Sequence, residues 1–527
     1  MATGTGAKSA DVERLHQLGY AQELRRGMRT FSNFAVSFTI ISILSGCLTL
    51  FGYGMNTGGP AVMTVGWLVV GAFVLLVALG MAEVASSYPT AGGLYYWAAK
   101  LATESGRNPA AWSWFTGWFN LIGQVAVTAG IDFGLAFFIN AFLNIAFGVS
   151  TDPPVTIAIF GIVLFVHALL NTFGIRIVAF LNDVSVWWHI VGVGVIVLAL
   201  TVLNQHATTD LGAVLSTFVN NSSKAEGVAP FPALYVMLIG LLNAQYTLTG
   251  YDASAHMSEE THNAAEAAPK GIVYSVLISV VFGFILLVAM NVGIDPNRGA
   301  DGLTGYERAL GALVPPAQIW IDAVGQTGGL VILLIVIGAQ FYCGMASVTA
   351  NSRMIYAFAR DGAVPAHETW HKINKRTRTP TNSIWLAAIG AFLLGLPYLF
   401  NAVAYAAVTS IAVIGLYVAY VIPVFLRVLA GDRFEKGPWS LGRWGKPVGT
   451  VATIWVVFIA VLFLLPQATP ITVETFNYTP VVFAVVLGLC AVWYAASAKH
   501  WFKGPKVQGS PAELAAIEKD LELAYQE

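Results

Sequence analysis

Two short stretches carry residue types that can hold a small polar solute without a charged side chain. Thr249-Gly250-Tyr251-Asp252 ends an apolar run that starts at Phe231, and Ser45-Gly46-Cys47 interrupts a second run from Phe34 to Met55. Glycine weakens a helix, and the aspartate arrives where the run is still at membrane depth. A helix interrupted inside a bilayer leaves N–H and C=O groups unpaired, which is tolerated only against protein or a wet cavity. Free amides at Ser45, Gly46 and Cys47 would offer the positive end of a helix dipole to a carboxylate. Carbonyls between Tyr246 and Gly250 would accept hydrogen bonds from an ammonium, so the two breaks together suit a zwitterion. Tyr246 and Tyr251 flank the second break, where they either close over an alkyl or quaternary-ammonium group or serve as aromatic packing.

Four ionisable residues sit in apolar runs: Glu83, Asp132, His189 and Asp252. Each costs ~2.5–3.5 kcal/mol to insert, so their presence points to function. His189 lies mid-way along Val184 to Val191 and titrates near pH ~6.5 when unperturbed. That suits it to take up and release a coupling proton near Ser347 and the first break; the competing reading is a neutral ring bonded to a neighbour. Glu83 is expected to steady a gate or loop at the cytoplasmic end of its span. Asp132 either accepts a cationic amine or pairs across the bundle. Asp252 follows the second break and is expected to bond the free amides of the next half-helix. Asn120 and Gln124, four residues apart on one helix face, bond between helices, or Gln124 reaches the substrate. Glu259, Glu260 and Glu266 with Lys270 read as solvated or gate ion pairs.

The elements that position these residues follow from composition. The chain of 527 residues is 57% hydrophobic and only 10% charged, against about 25% for soluble domains, so it is built for lipid. Its mean hydropathy is +0.69. A formal net charge of −1 gives no basic excess for nucleic acid. Segment 1–30 is polar, without the apolar core of a cleaved signal peptide. Taking about 20 apolar residues per span predicts twelve transmembrane helices, with residues 31–204 as one set of five, 205–230 as an external loop and 231–430 as a second set of five. Residues 447–498 add two more spans, and 499–527 form a cytoplasmic tail in which Ser510, Pro511 and Glu513 begin a solvated helix. Of 27 basic residues only Lys224, Arg298 and Arg308 fall outside the segments that become cytoplasmic if both termini are inside, which predicts a multi-pass protein of the cell membrane in that orientation. Small residues thus break spans 1 and 6, the first members of two five-span halves of opposite orientation. Such inverted repeats place a binding site where the broken helices meet. The Asp295–Gln326 loop, with Pro315-Pro316, reads as short surface helices over the outer mouth.

No Walker loop, nucleophile elbow or HExxH stretch is present, which excludes ATP-driven pumping by this chain and gives no enzymatic signature. His367 and His371 have metal-like spacing but lie in a basic cytoplasmic loop, which argues against a metal site, and Cys47, Cys343 and Cys490 lie in apolar runs. No cofactor or metal is expected.

Four stretches carry a family resemblance: Leu18-Gly-Tyr-Ala-Gln-Glu-Leu-Arg25, Met81-Ala-Glu-Val-Ala-Ser-Ser-Tyr-Pro-Thr-Ala-Gly-Gly-Leu-Tyr-Tyr-Trp97, Thr249-Gly-Tyr-Asp-Ala-Ser-Ala-His-Met-Ser-Glu-Glu260 with Ala268-Pro-Lys-Gly271, and Ser352-Arg-Met-Ile-Tyr-Ala-Phe-Ala-Arg-Asp-Gly362. Over about residues 15–500 the chain resembles the amino acid–polyamine–organocation superfamily, within it the amino acid/choline transporter family. The resemblance implies an all-α LeuT-type 5+5 inverted repeat with broken helices 1 and 6 and two appended helices. It implies a permease working by alternating access on a small amino acid such as γ-aminobutyrate (GABA), with a coupling proton. Choline, ethanolamine and polyamine carriage, or exchange, belong to the same fold, and a non-transporting nutrient sensor is the reading from another class. The resemblance places the segments at Ser45–Cys47 and Tyr246–Tyr251 at the substrate. It also implies that proton-coupled members carry lysine where this chain has His189.

Overall fold

Apolar runs that must satisfy their own backbone groups in lipid fold as helices, and this chain does so almost throughout. The computed structural model describes residues 5–173, 175–401 and 403–526. Helix α1 (Thr5–Gln17) precedes span 1, which comes in three pieces: α2 (Thr30–Ile41), α3 (Ile43–Thr49) and α4 (Phe51–Asn56). Span 2 is α5 (Gly59–Ser87), joined through α6 (Leu94–Glu104) to span 3, α7 (Pro109–Phe147). Spans 4 and 5 are α8 (Pro153–Phe173) and α9 (Ile175–Thr201), and α10 (Leu211–Ser216) lies in the following loop. Span 6 is again divided, into α11 (Ala233–Gly240), α12 (Leu242–Thr247) and α13 (Ala253–His256). Span 7 is α14 (Ala264–Val292); after α15 (Gly305–Gly311), span 8 is α16 (Pro315–Arg360), non-helical at Gly325. Beyond α17 (His367–Trp370), spans 9 to 12 are α18 (Thr381–Gly395), α19 (Val403–Ala430), α20 (Gly445–Leu464) and α21 (Thr479–Trp493). Helices α22 (Lys499–Trp501) and α23 (Pro511–Gln526) end the chain.

Among the described residues eleven helical runs are long and apolar enough to cross a membrane. The twelfth predicted span is the divided Ala233–Thr247 run, shortened because its helix stops at the break. Spans 3 and 10 cross at glycines: a Cβ on Gly123 would lie 2.6 Å from Leu416 N, and one on Gly415 2.7 Å from Gly123 Cα. Small residues of this kind let helices touch in lipid, where van der Waals packing takes over from the hydrophobic effect. Ile162, Phe165, Trp187, Val191 and Leu234 face outward, exposed as lipid contact requires.

The two ends of the bundle differ. On the side of the N-terminus, buried Glu259 pairs with Arg360 at 3.2 Å and Glu260 with Arg353 at 2.8 Å. The Arg360 guanidinium lies 3.9 Å over the Tyr20 ring, and the hydroxyls of Tyr20 and Tyr95 donate to Asp361 at 3.0 and 2.8 Å. Glu266 and Lys270 form a half-exposed pair at 3.3 Å. The tail helix, expected to be solvated, instead docks here: Glu518 lies 2.8 Å from His16, Gln508 N donates to the Gly19 carbonyl at 2.9 Å, and Leu514 is buried. Its Ser510–Glu513 start forms as the sequence predicts, Ser510 N donating to Glu513 at 2.7 Å. On the opposite side, cavities of about 390 and 250 Å³ both reach Gly52 and Asn56 of α4, and Leu310 of α15 with Val314 and Pro315 at the start of span 8 line the smaller one. Ion pairs bridge the N-terminal side, where a cavity of about 160 Å³ beside Tyr20, Tyr96 and Lys506 is smaller than the two on the opposite side.

Candidate functional site

Span 1 breaks at Ser42, three residues before the expected Ser45-Gly46-Cys47. Ser42 adopts a left-handed conformation (φ 37°, ψ 82°), and the helix restarts at once with Ile43. The amides of Ser45 and Gly46 donate to the Ser42 carbonyl at 2.8 and 2.9 Å, closing the first turn of α3. The amides that open that turn are those of Ile43 and Leu44. Gly46 has a packing reason of its own: a Cβ there would come 2.8 Å from Thr247 Cα, so spans 1 and 6 touch at this glycine. Cys47, in the same turn, is fully buried.

Span 6 breaks where the sequence places it. Helix α12 stops at Thr247, and the chain runs without helix through Leu248 to Asp252. Gly250 has φ +86°, and a side chain there would collide with Ile40 of span 1. Most exposed backbone groups of the break are already used. The Tyr246 carbonyl accepts from Thr249 Oγ1 at 2.7 Å, the Leu248 carbonyl from the Tyr417 hydroxyl, and the Tyr251 carbonyl from Ser37 Oγ at 2.9 Å. Gly250 N donates to the Tyr420 hydroxyl at 3.1 Å. Between Tyr246 and Gly250 the carbonyls of Tyr246 and Leu248 are thus claimed by side chains of spans 6 and 10 and that of Gly250 by Ala253 N, which narrows the expected set of free carbonyls to those of Thr247 and Thr249.

Asp252 does not cap α13; its side chain makes no bond to the helix amides. Its carboxylate instead accepts from Gln124 Nε2 at 2.7 Å and the Tyr420 hydroxyl at 2.6 Å, with His256 Nε2 3.2 Å away. This commits Gln124 to Asp252. Tyr251 lies against Tyr420 and Tyr417, ring centroids 4.9 and 6.4 Å apart, and the hydroxyls of Tyr246 and Tyr251 are buried without a partner.

His189 is fully buried at the span 1 break, its Nε2 2.7 Å from Ser42 Oγ and its Nδ1 2.7 Å from the Ser185 carbonyl. A carbonyl only accepts, so Nδ1 carries the hydrogen and Nε2 accepts from the Ser42 hydroxyl. The expected neighbour Ser347 is bonded to Thr128 Oγ1 at 2.9 Å instead. Asp132 pairs across the bundle with His167, closest atoms 3.1 Å apart and both wholly buried, though not aligned as a hydrogen bond. Glu83 accepts from Arg427 at 2.9 Å, from Ser440 at 3.0 Å and from Leu441 N at 3.1 Å, tying span 2 to the segment after span 10.

Sequence reasoning passed over several polar residues of this region. His167 and His256 lie in helical or broken apolar runs, and His256 stands four residues after Asp252, a spacing visible without a structure. Asn243, Gln245 and Gln340 carry buried polar atoms without partners. Tyr417 and Tyr420 gave no signal, because aromatic residues in a span read as lipid-facing or packed.

Comparison with known proteins agrees with this architecture. Residues 29–487 match the family model described as amino acid permease. The chain is 44% identical to amino-acid permease BAT1 of Arabidopsis thaliana over 93% of this chain and 95% of the relative. It is 44% identical to the BAT1 homolog of Oryza sativa subsp. japonica, over 96% and 97%. The GABA-specific permease of Saccharomyces cerevisiae is 30% identical over 95% of this chain and 86% of its own length. With all but the chain ends matched, this polypeptide belongs to the amino acid permease family, transporters of the amino acid–polyamine–organocation superfamily rather than enzymes.

Proposed function

We propose that this permease carries a small zwitterionic amino acid, GABA first among the candidates, across the cell membrane by alternating access in symport with a proton. Both termini then face the cytoplasm, as the placement of the basic residues favours. The substrate carboxylate lies at the start of the outer half of span 1, Ile43 to Cys47, and its alkyl body against Tyr246 and Tyr251. The observation that carries the reading is the bond donated to His189 by Ser42, the residue at which span 1 breaks. A proton added at His189 Nε2 would turn the Ser42 hydroxyl from donor to acceptor, so protonation acts directly on the backbone that opens the binding region. The likeness to a relative named a GABA-specific permease supports the substrate, and the nearness of His167 to Asp132 favours a zwitterion over a cationic amine, because a histidine beside the carboxylate competes with an amine for it.

The test is uptake of radiolabelled GABA and of other amino acids, choline and polyamines into proteoliposomes under an imposed pH gradient. Concentrative GABA uptake that collapses with the gradient, and is lost in His189→Ala and His189→Gln, is the expected result. Unchanged pH-driven accumulation in either variant removes His189 from coupling; label moving only against internal substrate makes the protein an exchanger, and no flux of any solute makes it a sensor.

A further inference from the structure

The span 6 break holds a second pair of buried ionisable groups. Asp252 ends the non-helical stretch and His256 follows one turn later, both without solvent exposure. His256 Nδ1 lies 3.0 Å from the Ala91 carbonyl and Nε2 3.2 Å from Asp252 Oδ2. A carbonyl has no proton to give, so Nδ1 carries one. The carboxylate facing the other nitrogen then needs one more proton between Oδ2 and Nε2, whichever atom bears it. Without it two lone pairs would confront each other in a dry interior, a costly arrangement. Asn120 presents its amide to the same Nε2 from 3.3 Å while its Oδ1 is left without a partner; turned end for end, it supplies an acceptor for an Nε2–H. His189 makes no such demand, since Ser42 and Ser185 satisfy it as a neutral ring.

We infer that Asp252 and His256 form a proton-binding site, filled when the N-terminal side is closed, and that its occupancy latches that side shut. The connection is a chain of contacts. His256 holds the Ala91 carbonyl, Ala91 N donates to Glu259 Oε1 at 3.0 Å, and Glu259 pairs with Arg360 in the seal. When the proton leaves to water on the N-terminal side, the imidazole keeps a single hydrogen; held at Nε2 by the facing carboxylate, it leaves Nδ1 bare toward the Ala91 carbonyl, and the chain parts at that first joint. The loop from Tyr88 to Gly93 is then released. For its place in the transport cycle this rests on the proton-coupled reading above; the site itself rests on the geometry of the pair.

Among the other titratable neighbours, the segment 88–97 itself carries Tyr88, Tyr95 and Tyr96, with the Tyr95 hydroxyl donating to Asp361. Tyr251 adjoins Asp252, and span 10 contributes Tyr417 and Tyr420. Span 8 contributes Arg353, Tyr356 and Arg360, the two arginines paired with Glu260 and Glu259, and span 7 contributes Glu266 with Lys270. Spans 1 and 3 present Asn33, Ser37, Asn120 and Gln124, none of them ionisable.

Hydrogen exchange of the segment 88–97, followed by mass spectrometry on the full-length protein in nanodiscs between about pH 5 and pH 9, tests the site. After correction for intrinsic exchange, protection should fall roughly tenfold or more as pH rises. Asp252→Asn and His256→Gln should flatten that response. Tyr420→Phe removes one bond to the carboxylate, together with the acceptor of Gly250 N, while leaving the pair itself intact, and should move the midpoint up by about one pH unit. Protection independent of pH in the unaltered protein, an unchanged response in Asp252→Asn and His256→Gln, or a midpoint that stays or falls in Tyr420→Phe overturns the proposal. A pH-responsive loop in a protein whose uptake ignores pH gradients would keep the proton site and remove the symport reading.

Discussion

Gly250 and Gly46 are where single residues decide whether the broken helices can meet. Gly250 sits at φ +86° with Ile40 against its open face. Gly250→Ala adds both the strain of a left-handed residue and an overpacked contact, and is expected to destabilise the protein by about 3 kcal/mol. Thermal unfolding of purified protein measures this, and an unaltered Tm would mean that the break is softer than the packing implies. The break at Gly250 was legible in the sequence, because glycine followed by aspartate in an apolar run has few other uses. The break at Ser42 was not. Serine has no preference for a left-handed conformation, and what holds it there is a hydroxyl bonded to His189, 147 positions along the chain. Asp252 was misplaced for the same reason: its three partners come from Gln124, Tyr420 and His256, and only His256 is near it in sequence.

At the scale of elements, the seal on the N-terminal side depends on two buried ion pairs between span 8 and the residues after α13. Breaking one partner of a buried pair leaves a desolvated charge, so Arg360→Ala is expected to destabilise the closed form by about 3–5 kcal/mol. The double variant Glu259→Gln with Arg360→Gln should recover part of that loss, and comparing the three proteins by thermal unfolding and by thiol labelling from the N-terminal side separates sealing from general stability. A recovery of nothing would show that Arg360 acts through Tyr20 and Tyr356 rather than through Glu259. On the other side of the bundle, α15 starts with a reciprocal cap: Thr304 Oγ1 accepts from Glu307 N, and the Glu307 carboxylate accepts from Thr304 N at 2.7 Å. The bonds from the Thr304 amide and hydroxyl hold the Glu307 carboxyl below its usual range. A carboxylate depressed on folding contributes its stabilisation above the unfolded pKa and loses it as pH falls through the folded one. Exchange protection of 304–311 is therefore expected to weaken on acidification below the ordinary glutamate range and to become insensitive to pH in that range in Glu307→Gln.

For the whole molecule, a ligand that binds the folded permease must raise its apparent stability, by about 2.7 kcal/mol at a hundred times its Kd. In a thermal-shift screen zwitterionic amino acids are expected to stabilise the protein and choline or polyamines to leave it unmoved; stabilisation by amines alone would assign a cationic substrate. The sequence by itself determined that the chain lies in lipid, that its first and sixth apolar runs are interrupted, and which stretches mark the family, because hydrophobic length, glycine and proline placement, and basic-residue asymmetry are local quantities set by the bilayer. Tertiary structure alone decided which backbone groups at the breaks stay free, which carboxylates are paired and with what, and which end of the bundle the buried ion pairs bridge. Many of those outcomes turn on side chains distant in the chain meeting at hydrogen-bond range, such as Gln124 and Tyr420 with Asp252 or Ser42 with His189, and no local pattern in the chain specifies which of several buried polar groups will find one another.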